Sequence, residues 1–198
     1  DVYKRQEEHQ VTVDGEYSKL EEPFVVIATQ NPIETAGTYQ LPEAQLDRFL
    51  MKINMGYPEK DDEVLILNRF LTSNPEITLE KVATCEDVIA MKEDAKNVYI
   101  HPVLIEYIVE LARMTRNEEN VLTGVSPRGT LGMLNAARAY AYVSGRDYVV
   151  PEDIKILAPY VWAHRLVLQT GFMNRDNKEQ IIGNVVSKTA VPTEDWNR

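Results

Sequence analysis

The stretch that most constrains this chain is Phe24-Val25-Val26-Ile27-Ala28, an unbroken apolar run halted by Thr29-Gln30-Asn31-Pro32. A run this apolar and this rich in β-branched residues predicts a strand covered on both faces, as in the parallel sheet of an α/β domain. Pro32 has no backbone N–H and drives Asn31 out of the helical region, so the strand ends there. Ligands of open α/β sheets bind just past such strand ends, which makes Asn31 a candidate site residue. Asn-Pro also opens ordinary turns, so by itself the run leaves both readings of Asn31 open.

Upstream, Val11-Thr12-Val13 and Tyr17-Ser18-Lys19-Leu20 flank Asp14-Gly15-Glu16, and Asp-Gly between two short strand-like runs predicts a hairpin at about 10–21. Downstream lies Leu41-Pro42-Glu43-Ala44-Gln45-Leu46-Asp47-Arg48-Phe49-Leu50. Pro42 suits a first helical position and Glu43 the positive end of the helix. On such a helix Leu46, Phe49 and Leu50 share a face and Arg48 lies opposite, projecting either as plain surface or as a functional cation. Residues 49–55 read as a second sheet strand, ended by Gly56-Tyr57-Pro58.

From Glu59 onward the pattern is helical. Residues 59–72 carry Val64, Leu67 and Leu71 on one side. Thr84 with Asp87 forms a variant capping box. Pro102 opens a helix with Leu104, Ile105, Ile108, Leu111, Ala112 and Thr115 inward, and 117–125 read as a loop. Ser126-Pro127 is an N-cap followed by a first-position proline, opening a helix to about Val143 that is apolar almost all round and so expected at the centre of its bundle. Arg128 falls in its first turn, where a cation opposes the helix dipole by about 0.3–1 kcal/mol. A bound anion would reverse that penalty, and pairing with a nearby carboxylate would serve as well. Pro151 starts a helix with Ile154, Leu157, Ala158 and Val161 inward, kinked or split at Pro159. His164 reads as a packing or capping residue, and 175–189 as the last helix.

The net charge of −10 opposes long-range attraction to nucleic acid or anionic membranes. The single cysteine, Cys85, excludes an intrachain disulfide and suits a reducing cytoplasm. No run of about 20 apolar residues predicts a membrane span. No lysine follows a glycine, so no phosphate-cradling Gly-Lys loop is written here. The three histidines, His9, His101 and His164, show no metal-ligand spacing, and no metal site is expected.

Three features line up: Ile-Ala-Thr-Gln-Asn-Pro after the apolar run, Leu-Pro-Glu-Ala-Gln-Leu-Asp-Arg-Phe about ten residues on, and Ser-Pro-Arg at a helix start. Together they resemble the second half of a MoxR-family AAA+ ATPase, from about Glu8 to Leu168. The resemblance implies the C-terminal part of an α/β core at residues 1–57, a helical lid at 58–170, and a C-terminal helix and tail at 171–198. It also implies an ATPase using ATP and Mg2+, working as a hexameric chaperone or remodelling ring in the cytoplasm. Clients would be proteins, including von Willebrand A-type partners.

By the same resemblance Asn31 is sensor 1, orienting the attacking water. Arg48 is the arginine finger, reaching the neighbouring subunit's ATP, and Arg128 is sensor 2, on the phosphates of its own subunit. The 10–21 hairpin resembles the insertion before sensor 1 that faces the ring pore. The Walker A and Walker B segments are expected upstream of residue 1, residues 1–7 depart from the family pattern, and this stretch alone is expected to be inactive. A DNA motor of the related helicase group would need a basic hairpin, whereas Asp14 and Glu16 stand there beside a single Lys19. A non-catalytic helical interaction module is the third reading.

Overall fold

The computed structural model describes residues 10–13, 16–30, 41–72, 79–169 and 175–192. The hairpin forms as predicted: β1 (Gln10–Val13) pairs antiparallel with β2 (Glu16–Lys19), Val13 opposite Glu16. Asn31 lies outside the described residues.

The two predicted sheet strands do not form. Residues 24–30 and 51–59 run without strand pairing, and Val25 and Ile27 are 71% and 86% exposed. A strand exists only through the ladder its neighbours complete, and among the described residues no strand lies beside either segment. The predicted helix over 42–50 is also shorter. Only α1 (Glu43–Leu46) is α-helical, and the chain then tightens into three-residue turns, with Arg48 N–H donating to Gln45 O and Phe49 N–H to Leu46 O.

The helical part follows its caps closely. α2 (Lys60–Thr72) has Asp61, Asp62 and Glu63 in its first turn and Arg69 in its last, charges that suit both ends of the dipole. Its apolar side chains are exposed, Leu67 by 62% and Leu71 by 79%, so the stripe of Val64, Leu67 and Leu71 is not a core face among the described residues. α3 (Cys85–Asn97) starts on the expected capping box: Asp87 N–H donates to Thr84 Oγ1, and Thr84 N–H to the Asp87 carboxylate.

The core belongs to the last four helices. In α4 (Pro102–Asn117) the buried face is Leu104, Tyr107, Ile108, Leu111, Ala112 and Thr115. Tyr107 takes the place expected for Ile105, which is 43% exposed. The expected loop after α4 contains β3 (Val121–Thr123), which pairs with β4 (Val167–Leu168).

α5 (Pro127–Val143) opens where Ser126 accepts the Gly129 N–H. It buries Met133, Ala136, Ala137 and Ala141 but leaves Leu131 and Val143 exposed, so it is packed along one side and not all round. α6 (Pro151–Trp162) buries Ile154, Leu157, Ala158 and Val161 as expected, and Pro159 sits inside it without splitting it. A 3-10 turn at Ala163–Arg165 follows α6. α7 (Arg175–Lys188) closes the bundle with Ile182 and Val185, both fully buried. Arg146, just past α5, meets the carboxylate of Asp153 with both terminal nitrogens, at 2.9 and 2.6 Å, which ties the α5–α6 turn to the start of α6.

Candidate functional site

The two candidate arginines sit on segments that meet. Arg48 is half-buried in the turn after α1, and Arg128 is exposed in the first turn of α5. The residue before Arg48, Asp47, accepts hydrogen bonds from the Oγ of Ser126, the cap of α5, at 3.4 Å to each carboxylate oxygen. Two side chains that the sequence reading left without a site role make this junction: Arg165, unassigned there, and His164, read as packing or capping.

Arg165 is almost fully buried. Its Nε donates to Val161 O at 2.8 Å, within its own helix end. Its Nη1 donates to the backbone carbonyl and, at 2.6 Å, to the carboxylate of Asp47, and its Nη2 donates to Phe49 O at 2.7 Å and Leu50 O at 3.4 Å. All three guanidinium nitrogens are thus bonded, as an interior cation requires. Lys52 N–H donates to Tyr160 O at 2.9 Å and extends the seam by main chain.

The same site explains a glycine. A β-carbon at Gly129 would stand 2.7 Å from a methyl of Val125 and 3.1 Å from Arg165 Cδ, inside ordinary contact. The carbonyl of Gly129 accepts from Trp162 Nε1 at 2.9 Å, so α5 and α6 are cross-bonded behind the Arg165 side chain.

His164 Nε2 lies 3.1 Å from Phe49 O. A carbonyl only accepts, so Nε2 carries the hydrogen and Nδ1 is the bare nitrogen. Nδ1 is buried without a partner. Burial first, then the adjacent Arg165 cation, pushes the imidazole from 6.5 down to about 4, with Lys52 adding to the fall, while the Phe49 carbonyl and Asp47 oppose it.

The histidine is therefore neutral in the folded protein, and its contribution is intact above pH 6.5. As the pH falls from 6.5 through 4 the unfolded chain takes up the proton first, and stability drops by about 3 kcal/mol. Urea melts across that window should show the loss, and His164→Gln should flatten it.

No group of three His, Cys, Asp or Glu side chains among the described residues could hold a metal ion, and no described helix is long and apolar enough to cross a membrane.

Residues 2–51 match the family described as ATPase family associated with various cellular activities (AAA), and residues 113–185 match the AAA lid domain. The Asp47 junction therefore bridges an AAA region and an AAA lid, the two parts that define an AAA+ protein. The uncharacterized protein YeaC of Bacillus subtilis is 45% identical over 95% of this chain and 59% of its own length. The chaperone MoxR1 of Mycobacterium tuberculosis is 39% identical over 94% of this chain and 52% of its own. A crystal structure of a protein from Cytophaga hutchinsonii, provisionally described as an ATPase, superposes with a TM-score of 0.85 at 33% identity, over 97% of this chain and 61% of that one. The chain belongs to the MoxR family of AAA+ proteins. It spans 52–61% of the length of these relatives.

Proposed function

We propose that this chain forms the arginine-finger and lid portion of an ATP-hydrolysing MoxR-type remodelling protein, with the α/β part ending near residue 57. In this reading Arg48 reaches the ATP of a neighbouring subunit in a ring, a hexamer by family habit. Arg128 meets the phosphates of its own subunit's ATP, and Asn31 orients the attacking water. ATP supplies the phosphoryl group. The two guanidinium groups neutralise charge on its oxygens, Arg48 chiefly as that charge redistributes during transfer. Energy released on hydrolysis would move the lid and hairpin against a protein client, von Willebrand A-type proteins among them, in the cytoplasm.

The observation that carries this reading is the Asp47–Ser126 contact, because Asp47 directly precedes Arg48 and Ser126 stands two positions before Arg128. The donor set suits phosphate: Arg128 is an exposed guanidinium on the first turn of the 17-residue helix α5. The Mg2+ that accompanies ATP finds no ligand cluster among the described residues.

Replacing Arg128 by alanine in the complete protein tests the assignment. ATP affinity, measured by fluorescent-nucleotide titration, is expected to weaken about tenfold or more, in line with one lost charge-assisted contact. Unchanged affinity would remove Arg128 from the nucleotide site.

A further inference from the structure

We propose that Arg165 is a positioning residue for Arg48: it fixes the turn at residues 47–50 onto the lid, and the Asp47 carboxylate it shares with Ser126 ties that turn to the start of α5. The inference rests on the reading of Arg48 as the arginine finger.

The turn has little regular secondary structure of its own, and its Phe49 carbonyl also accepts from His164 Nε2 on the lid. α1 contributes four residues, and the chain after Leu50 has no strand pairing. Against this, Arg165 takes the carbonyls of Asp47, Phe49 and Leu50, the residues on both sides of Arg48. The Asp47 carbonyl belongs to the peptide group just before Arg48. The peptide group just after it is held by Phe49 N–H donating to Leu46 O, and Arg165 grips the next two through the Phe49 and Leu50 carbonyls, so the direction in which the Arg48 side chain leaves the backbone is set from both sides. A planar five-donor fork can make these bonds together, whereas a lysine ammonium is a single point with three donors. A residue needed only to fill the seam would be better apolar, because an interior cation of this kind adds little net stability over a packed hydrophobe. The placement of the fork on main-chain oxygens, which no change of side chain on the turn could remove, fits a role in geometry.

The Asp47 carboxylate gives the turn a second anchor. It takes both Arg165 Nη1 and the Ser126 hydroxyl, and Ser126 also caps the helix on which Arg128 sits. Movement of the lid against one ATP would then be passed by Asp47 to the finger that serves the next ATP around the ring.

The test is steady-state ATP hydrolysis, nucleotide titration and circular dichroism on the complete protein carrying Arg165→Met, Asp47→Asn or Arg48→Ala. For Arg165→Met, kcat is expected to fall about 100-fold, as for an Ångström-scale misplacement, with KM and ATP affinity within about twofold of the parent. Asp47→Asn keeps an acceptor oxygen and is expected to lower kcat about tenfold, again without weakening ATP binding. If Arg165→Met does not fold, Asp47→Asn decides the question alone.

If Arg48→Ala abolishes hydrolysis while folded Arg165→Met or Asp47→Asn turns over like the parent, or loses ATP binding in the same proportion as kcat, the positioning role is overturned. Undiminished hydrolysis in Arg48→Ala instead overturns the finger reading itself, and the positioning role falls with it.

Discussion

Arg48→Ala in the complete protein is expected to lower kcat for ATP hydrolysis by about 10³–10⁵, the range seen when a guanidinium supplied to a transferring phosphoryl group is removed. That loss corresponds to about 4–7 kcal/mol of transition-state stabilisation. ATP binding should largely survive, because a finger acts chiefly as charge redistributes during transfer. The relevant measurement is kcat beside equilibrium nucleotide affinity: a matched fall in both would mean that Arg48 is a ground-state ligand or a structural residue. Arg48 is half-buried on a turn whose backbone the lid holds on both sides, and its truncation leaves the Arg165 bonds to the Asp47 and Phe49 carbonyls in place.

The largest stability loss is expected at Trp162. Its side chain is fully buried, and its indole N–H donates to Gly129 O across the α5–α6 interface. Trp162→Ala would leave a cavity and an unpaired carbonyl, together costing about 3–5 kcal/mol. Chemical denaturation should show that loss as a lower midpoint. Trp162→Phe should recover part of it, since the ring volume is largely restored while the hydrogen bond is not. A loss below about 1 kcal/mol would mean that the α5–α6 seam is not central to the bundle.

Local chemistry made some of this fold legible and distant chemistry hid the rest. Asp14-Gly15, Thr84 with Asp87, and Ser126-Pro127 each act within a few residues, and the hairpin, α3 and α5 begin where those signals put them. The inward faces of α4 and α6 were readable from their period, apart from the exchange of Ile105 for Tyr107. The run at 24–28 is different: its apolar character describes a sheet interior, yet a strand is completed only by neighbours, and the described residues hold none for it. α2 fails as a core helix for a similar reason, since amphipathic spacing says that a face wants cover and not what covers it.

The site shows the same division. Arg48 and Arg128 stand in recognisable motifs, whereas Arg165 bonds chiefly to carbonyls more than a hundred residues away, and any residue type supplies a carbonyl. Nothing in the short string Ala163-His164-Arg165 could announce that partner set. One available sign was the unfavourable placement of a histidine and an arginine side by side after an apolar helix, which in a folded chain demands buried acceptors. Asn31, central to the reading of the nucleotide site, lies outside the described residues, and its role stands on the motif it occupies.

The central claim is that Arg48 acts across a subunit boundary, and mixed rings test it most directly. Subunits carrying Arg48→Ala keep a nucleotide site but lack the finger, while subunits with a disabled Walker motif keep the finger but cannot hydrolyse. Each preparation alone should be inactive. Mixed at increasing ratios, they should regain ATP hydrolysis with a maximum at intermediate composition, because an intact Arg48 then faces an intact site in the neighbouring subunit. Mixed rings that assemble and yet stay inactive at every ratio would contradict the account.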